Sequence, residues 1–336
     1  MTETRKVPRA DLEALMVRAF VKSNTSPENA ASVARALAQA EIDGQKGHGV
    51  FRVPSYTAQA RAGKVDGKAV ARIERTRPAS MMVDAGHGFA FPALELATDA
   101  LKTAAREVGI AAASICRSNH AGALSQPVER IADDGLVGLA FANSFAAMSA
   151  WGGKRGVFGT NPIAFSAPRP NAASLVIDMA LSQVARANIV SALQKGEEIP
   201  LGWAVDKDGN PTTDPKAAMA GLSLPVGGAK GAALALMVEV LSACLSGAHL
   251  ASESSSFLDD KGDPCNVGQL IIAIDPAAFG GAEVFTERFE LLAGMIEGDE
   301  GARLPGTRRL ARRETATREG VAVDAKLYAE VEALAG

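Results

Sequence analysis

A chain of 336 residues, 47% hydrophobic and 22% charged, has the composition of a globular protein and the length for one large or two ordinary domains. Its formal net charge of −3, with lysine and arginine spread along the chain, excludes the broad basic footprint of a nucleic-acid-binding protein. The start MTETRKVPRADLEALMVRAF has charges where a secretion signal needs apolar residues, and no run approaches the about 18 apolar residues of a membrane span, so a cytoplasmic location is expected.

Residues 8–40 place Leu12, Leu15, Met16, Ala19 and Phe20, then Ala30, Val33, Ala34 and Leu37, at helical spacing. Between the two groups, Ser26-Pro27 reads as an N-cap followed by Pro at the first helical position. The chain is thus expected to open with two helices. The second runs into QKGHGVFRVPSY, Gln45–Tyr56. There the flanking glycines leave the His48 ring approachable, and Arg52 follows one helical turn later. An imidazole can hand over a proton near neutral pH, and a guanidinium can clamp a carboxylate with two parallel N–H groups. The plainer reading is a helix end with a solvent-facing His.

From residue 80 onwards strand and helix patterns alternate: SMMVDAG, ALELATDALKTAAREVG, IAAASIC, LSQPVERIADDG and LVGLAFANS. This argues for α/β structure. Gly86-His87-Gly88 follows a strand and precedes a helix, but the third glycine of a dinucleotide fingerprint is missing and Pro92 stands just beyond. A simple strand-turn-helix accounts for it better. SNHAGAL, Ser118–Leu124, ends the strand IAAASIC; its small residues allow a backbone N–H to approach a phosphate or carboxamide, or make an ordinary capped turn.

Further strands are expected at IAFSAPRP, SLVIDMA and QLIIAIDP, and a glycine-led helix at GAKGAALALMVEVLSACLSG. SESSSFLDDKGDPCN and DKDGNPTTDP read as loops. WGGKRGVFGTNPIAF suits a loop gripping an anionic ligand, or a tight surface loop. PVGGAKGAAL lacks the spacing of a triphosphate loop, because Gly231 follows Lys230, yet Lys230 at a helix start remains a partner for phosphate or carboxylate. RLPGTRR, Arg303–Arg309, lies in the one strongly basic stretch, expected to be a local anion site or a solvated face. Cys116, Cys244 and Cys265 lie far apart and read as buried small hydrophobes. No HExxH, GxSxG or acidic cluster of metal spacing supports a hydrolase or a metal site.

Taken in order, these segments resemble the malate/L-lactate dehydrogenase family that is separate from the Rossmann-type lactate dehydrogenases. Within it the chain looks most like the Δ1-piperideine-2-carboxylate/Δ1-pyrroline-2-carboxylate reductases. GHGVFRVPSY, SNHAGAL, GLVGLAFANS, GTNPIAF, VIDMA, GNPTTDP, GGAKGAAL, GQLIIAIDP and RLPGTRR carry the resemblance over nearly the whole length.

The resemblance implies a mixed α/β, non-Rossmann fold in a homodimer, with a cofactor domain at about 76–254 inserted between segments 1–75 and 255–336 of a second domain. It implies NADPH, or NADH, as cofactor, and reduction of a cyclic imino acid to L-proline or L-pipecolate. The alternatives are a 2-hydroxy-acid dehydrogenase on the same fold and a catalytically impaired cofactor-binding protein. By likeness His48 is the proton donor, Arg52 holds the substrate carboxylate and Thr160 touches the substrate. The cofactor would lie against His120, Ala121, Gly122, Ala123 and Leu124, then Asp178, Met179 and Ala180, then Ala229 and Lys230. Its last stretch of contacts would be Arg303, Leu304, Pro305, Gly306, Thr307, Arg308 and Arg309. Two positions depart from the family: Gly47 stands where a relay Ser is usual, and Asn188 where its acidic partner is. Asp178 and Lys46 are the candidate substitutes.

Overall fold

The computed structural model describes residues 3–336. The chain opens with a short strand, β1 (Thr4–Val7), that the charged start conceals, followed by α1 (Arg9–Lys22) and α2 (Pro27–Ile42). As expected, the Ser26 hydroxyl caps α2 by accepting from the Asn29 N–H, with Pro27 in the first turn. Two 3-10 turns, Lys46–His48 and Val50–Arg52, lead into α3 (Val53–Ala62). Next come β2 (Arg72–Arg77), β3 (Ser80–Asp84), α4 (Ala90–Val108), β4 (Ile110–Ser118), α5 (Ser125–Asp133) and β5 (Val137–Ala142).

The middle of the chain adds β6 (Met148–Ser149), β7 (Gly156–Phe158), β8 (Ile163–Ala167), β9 (Leu175–Met179) and α6 (Arg186–Lys195). It continues with β10 (Ala204–Val205), β11 (Pro211–Thr212), α7 (Pro215–Ala220), β12 (Leu222–Ser223) and α8 (Ala229–Glu239), which runs on into a π-helical turn, Val240–Cys244. The chain closes with β13 (Val267–Ile274), α9 (Ala282–Glu297), α10 (Thr307–Glu319), β14 (Val321–Asp324) and α11 (Ala325–Ala335).

The main sheet has the order β2-β3-β4-β13-β5-β8-β9. Only β3 and β4 run parallel; the other neighbours are antiparallel. This is a mixed sheet and not the parallel array of a dinucleotide-binding Rossmann fold. The GHG segment is a plain turn, with Gly86 and His87 at φ 62° and 60°. Alanines make the layer thin: Ala111 and Ala113 of β4 face Ala93, Ala97, Ala104 and Ala105 of α4 in one core, so helix and sheet approach closely.

β13 corrects the expected division of the chain. Segment 255–336 was grouped with residues 1–75, yet Val267–Ile274 is the central strand of the α/β sheet, pairing β4 on one side and β5 on the other. Its residues Ile271 and Ala273 are fully buried, which a two-sided apolar run such as QLIIAI permits. A separate helical core unites α1, α2, α3 and α11 with β1 and β14, through Leu12, Met16, Phe20, Leu37, Tyr56 and Val331. The cysteine expectation also fails in part: Cys265 is buried, but Cys244 is exposed on the π-helical turn.

The basic stretch is helical, TRRLARRETATRE forming α10, and it is largely exposed, with Arg309 and Arg313 turned into ion pairs on its inner side. Arg313 donates from Nε and Nη2 to the Asp43 carboxylate (2.6 and 2.7 Å) and from Nη1 and Nη2 to Glu129 (2.8 and 2.7 Å). Asp43, just past α2, has a fully buried side chain. One guanidinium therefore ties α10 to both α2 and α5. Removing it would strand a buried carboxylate, so Arg313→Met should lose about 3–5 kcal/mol of stability in denaturant titration.

Candidate active site

The His48 segment is shaped by one buried carboxylate. Glu41, in the last turn of α2, accepts the Val50 N–H at Oε2 (3.0 Å) and is lodged against Gly49, where a Cβ would stand 2.3 Å from that oxygen. Only glycine permits this approach. Burial raises the Glu41 pKa, against the pull of the Val50 hydrogen bond and of Lys46. With the turn pinned, Arg52 folds back and donates from Nε to the Gly47 carbonyl (2.6 Å). A Cβ on Gly47 would meet nothing within 4 Å, so a serine would fit there.

Around this segment four rings form one cluster. The His48 and His120 rings stack with centroids 5.1 Å apart and 19° between planes, and His120 stacks on Phe257 at 4.2 Å and 26°. The Tyr56 hydroxyl lies 2.5 Å from His120 Nδ1. The Arg52 guanidinium sits 5.7 Å from the Phe257 centroid. Arg52 is only 9% exposed, yet among the described residues no carboxylate pairs with it, and its Nη1 has no partner. The His48 Nδ1 is also buried and unpartnered.

Burial, reinforced by the Arg52 charge, pushes the His48 pKa down to about 4, and burial with Arg52 and His48 holds His120 well below its ordinary value. Both rings are therefore neutral at pH 7. An anion bound to Arg52 would cancel the smaller, charge-based part of that depression and move the His48 pKa back up. The cluster thus sets an unpaired guanidinium next to a neutral imidazole, which is chemistry that suits an anion.

The loop that brings in Phe257 is held from below. The buried Lys64 donates to the carbonyls of Ser256 (2.5 Å), Lys261 (2.5 Å) and Asp259 (3.3 Å), and Gln59 Nε2 donates to the Phe257 carbonyl (2.8 Å). Gln59 Oε1 in turn accepts from Asn119 (2.9 Å), next to His120. Sequence reasoning missed Tyr56, Glu41, Lys64 and Phe257. Tyr56 carried a signal, lying one further helical turn beyond Arg52, and Phe257 is the lone aromatic of a polar run.

The residues expected along the cofactor converge at the end of β9. Asp178 Oδ2 accepts from the Ser125 N–H (2.9 Å) and from Gln45 Nε2 (3.1 Å), and burial raises its pKa. Ser125 directly follows the His120–Leu124 turn, where a Cβ on Gly122 (φ 67°) would come 2.7 Å from Phe91. Gly306 opens α10 beside the same strand: a Cβ there would lie 3.7 Å from the Val176 carbonyl. Arg309 pairs with Glu129 (3.2 Å) and keeps a buried, unpartnered Nε. Arg303 and Arg308 are exposed.

The Val226 N–H donates to Leu181 (2.8 Å), which sets the start of α8, with the exposed Ala229 and Lys230, next to Ala180. The orphaned Arg309 Nε, the buried Asp178 carboxyl and the tight Gly122 turn fit a dinucleotide-type ligand.

Thr160 reaches the ring cluster only indirectly. Its N–H donates to Ser144 Oγ (3.1 Å), and the adjacent Phe145 packs edge-on against Phe257 at 4.8 Å. The candidate relay substitutes are occupied elsewhere: Lys46 faces Glu41 (4.0 Å), while Asp178 is held by Gln45 and Ser125. Asn188 is exposed in the first turn of α6.

The profile of the malate/L-lactate dehydrogenase family matches residues 7–332 of the chain. A (2R)-3-sulfolactate dehydrogenase (NADP(+)) from Chromohalobacter salexigens is 47% identical over 310 residues, covering 92% of this chain and 92% of that one. A Δ1-pyrroline-2-carboxylate reductase from Ancylobacter novellus is 39% identical over 337 residues, covering 99% and 98%. Among solved structures, Δ1-piperideine-2-carboxylate reductase from Pseudomonas syringae pvar. tomato superposes with a TM-score of 0.93 at 39% identity, over 98% of this chain and 100% of that chain.

The buried imidazole makes a pH prediction. His48 titrates at about 4 in the folded protein, against about 6.5 in an unfolded chain, so between these values the unfolded state binds more protons. The stability that comes from keeping this ring neutral is whole above about pH 6.5 and is lost as pH falls towards about 4, up to about 3 kcal/mol. The melting temperature should therefore drop across that window, and His48→Asn should flatten the drop.

Proposed function

The chain belongs to the malate/L-lactate dehydrogenase family of oxidoreductases, and on that footing we propose that it reduces a cyclic imino acid, Δ1-pyrroline-2-carboxylate or Δ1-piperideine-2-carboxylate, to L-proline or L-pipecolate. The observation that carries this is the buried Arg52 guanidinium with a free Nη1 and no carboxylate of its own, directly beside His48. A burial so costly is explained by an incoming carboxylate. Arg52 would anchor that group, and His48 would give a proton to the imine nitrogen as C2 becomes tetrahedral. Thr160 would close the substrate side.

The cofactor in this reading is NADPH, with NADH as the alternative, held by His120–Leu124, Asp178–Ala180, Ala229-Lys230 and Arg303–Arg309. Bound there, the reduced nicotinamide supplies the hydride. The name of the sulfolactate dehydrogenase relative supports the phosphorylated form, and Arg303, Arg308 and Arg309 offer cations for a 2′-phosphate.

A second reading has its own support. The 47% identity to that dehydrogenase, together with Gly47 and Asn188 in place of the relay pair, favours an open-chain 2-hydroxy acid on the same Arg52 clamp. Oxidation of NADPH and NADH should be followed with both cyclic imines, pyruvate, oxaloacetate and 3-sulfopyruvate. Turnover confined to the open-chain oxo acids would replace the imine reading, and tight cofactor binding without any turnover would point to a catalytically impaired binder. On the leading reading Arg52→Ala should raise KM for the imino acid by about 10- to 100-fold.

We also propose a cytoplasmic homodimer. No helix among the described residues is long and apolar enough to cross a membrane. Yet α8 and its π-helical turn expose Leu234, Leu236, Met237, Val240 and Leu245, and α9 exposes Val284, Leu291, Leu292 and Met295. Helices apolar on their outer faces belong in an interface. Light scattering should give twice the chain mass, and Leu236→Glu with Leu292→Glu should reduce it.

A further inference from the structure

The ring cluster contains a pair that the proposed chemistry does not use. Tyr56 is 1% exposed, and among the described residues its hydroxyl has a single hydrogen-bond partner, His120 Nδ1, at 2.5 Å. Burial raises the phenol pKa, so the hydroxyl keeps its proton and is the donor of this bond. The Nδ1 must then be the acceptor. A neutral imidazole whose Nδ1 accepts carries its proton on Nε2, which points away from the phenol on the other edge of the ring. The ring is packed against both His48 (5.1 Å) and Phe257 (4.2 Å).

Arg52, meanwhile, offers less than a full guanidinium. Its Nε is spent on the Gly47 carbonyl, so a carboxylate can be gripped only by the terminal nitrogens, of which Nη1 is free. A carboxylate has about four lone-pair positions to satisfy once it leaves water. The half-buried His120 edge offers a further donor, since its ring packs on Phe257 at 4.2 Å and the Arg52 guanidinium lies 5.7 Å from the same ring.

We propose that Tyr56 is a positioning residue that fixes His120 as the Nε2–H tautomer, so that this ring gives the pocket a second donor, beside Arg52, for the anionic end of the substrate. This deepens the reading of the Arg52 pocket as the carboxylate site and rests on it. The backbone of His120–Leu124 stays available to the cofactor, and the assignment concerns the His120 side chain alone.

The test begins without substrate. The chain has 4 histidines, so the protonation of each ring nitrogen can be read from long-range 15N–1H correlations of 15N-histidine protein, with His120→Asn identifying the signals. In the wild type His120 should carry its proton on Nε2. In Tyr56→Phe, which keeps the ring packing on Phe89 and Phe91, that preference should be lost. Calorimetric binding of pyrrole-2-carboxylate and oxalate should weaken by about three- to tenfold in Tyr56→Phe, with KM for the substrate rising alike, kcat changing less than about twofold and cofactor affinity unchanged. A wild-type His120 protonated on Nδ1 would overturn the proposal, and so would a lost preference that leaves anion binding unchanged. If the tautomer and anion binding respond as stated while no imino acid is turned over, the substrate assignment fails and the role of Tyr56 stands.

Discussion

The constraint on which the site depends is a guanidinium buried without a counter-charge. Taking Arg52 out of water costs several kcal/mol unless something replaces its hydration, and within the chain the replacements are partial: the Gly47 carbonyl at Nε, and the faces of Phe257 and Phe51 at 5.7 and 5.9 Å. Burial accordingly lowers even the arginine pKa. Native proteins keep such an arrangement where a ligand completes it. Burial is the main reason that His48 and His120 stay neutral, and the same uncompensated charge pushes both further down, so an arriving anion would relieve that second part.

A charge held at such cost requires a rigid frame, and the surroundings supply one from distant parts of the chain. Glu41 pins the turn that carries His48. Lys64, its ammonium capped by three carbonyls, pins the loop that carries Phe257. On the far side Arg313 bolts α10 to α2 and α5, which keeps Gly306 and Arg309 against β9. In each case a buried ionic group serves geometry more than net stability, since a well-packed apolar group could hold the elements together as strongly.

Much of this was legible in the sequence where the signal is local. The Ser26 cap, the helical spacing of α1 and α2, the small residues at the end of β4 and the His48–Arg52 spacing are all short-range patterns, and each has its counterpart in the structure. What escaped is long-range. β13 lies some hundred and twenty residues beyond its partner β5, and nothing in QLIIAIDP says that it inserts between β4 and β5. Phe257 reaches His120 across the same kind of gap. The ion pairs on the inner side of α10 were hidden because the acidic partners of Arg313, Asp43 and Glu129, are contributed by other parts of the chain. Only Tyr56 lay within reach of a local argument, and its meaning depends on His120, which is brought to it by the fold.

The departure at Gly47 takes on a physical sense in this frame. A serine would fit there, so the missing hydroxyl is not excluded by crowding, and the carbonyl of the same residue accepts from Arg52 Nε. Next to it, the buried Nδ1 of His48 has no partner among the described residues. The two stacked imidazoles are therefore unequal. His120 has the Tyr56 hydroxyl at its Nδ1, whereas the Nδ1 of His48 has no partner among the described residues. A buried nitrogen in that condition is satisfied when a ligand or a water brings it a partner.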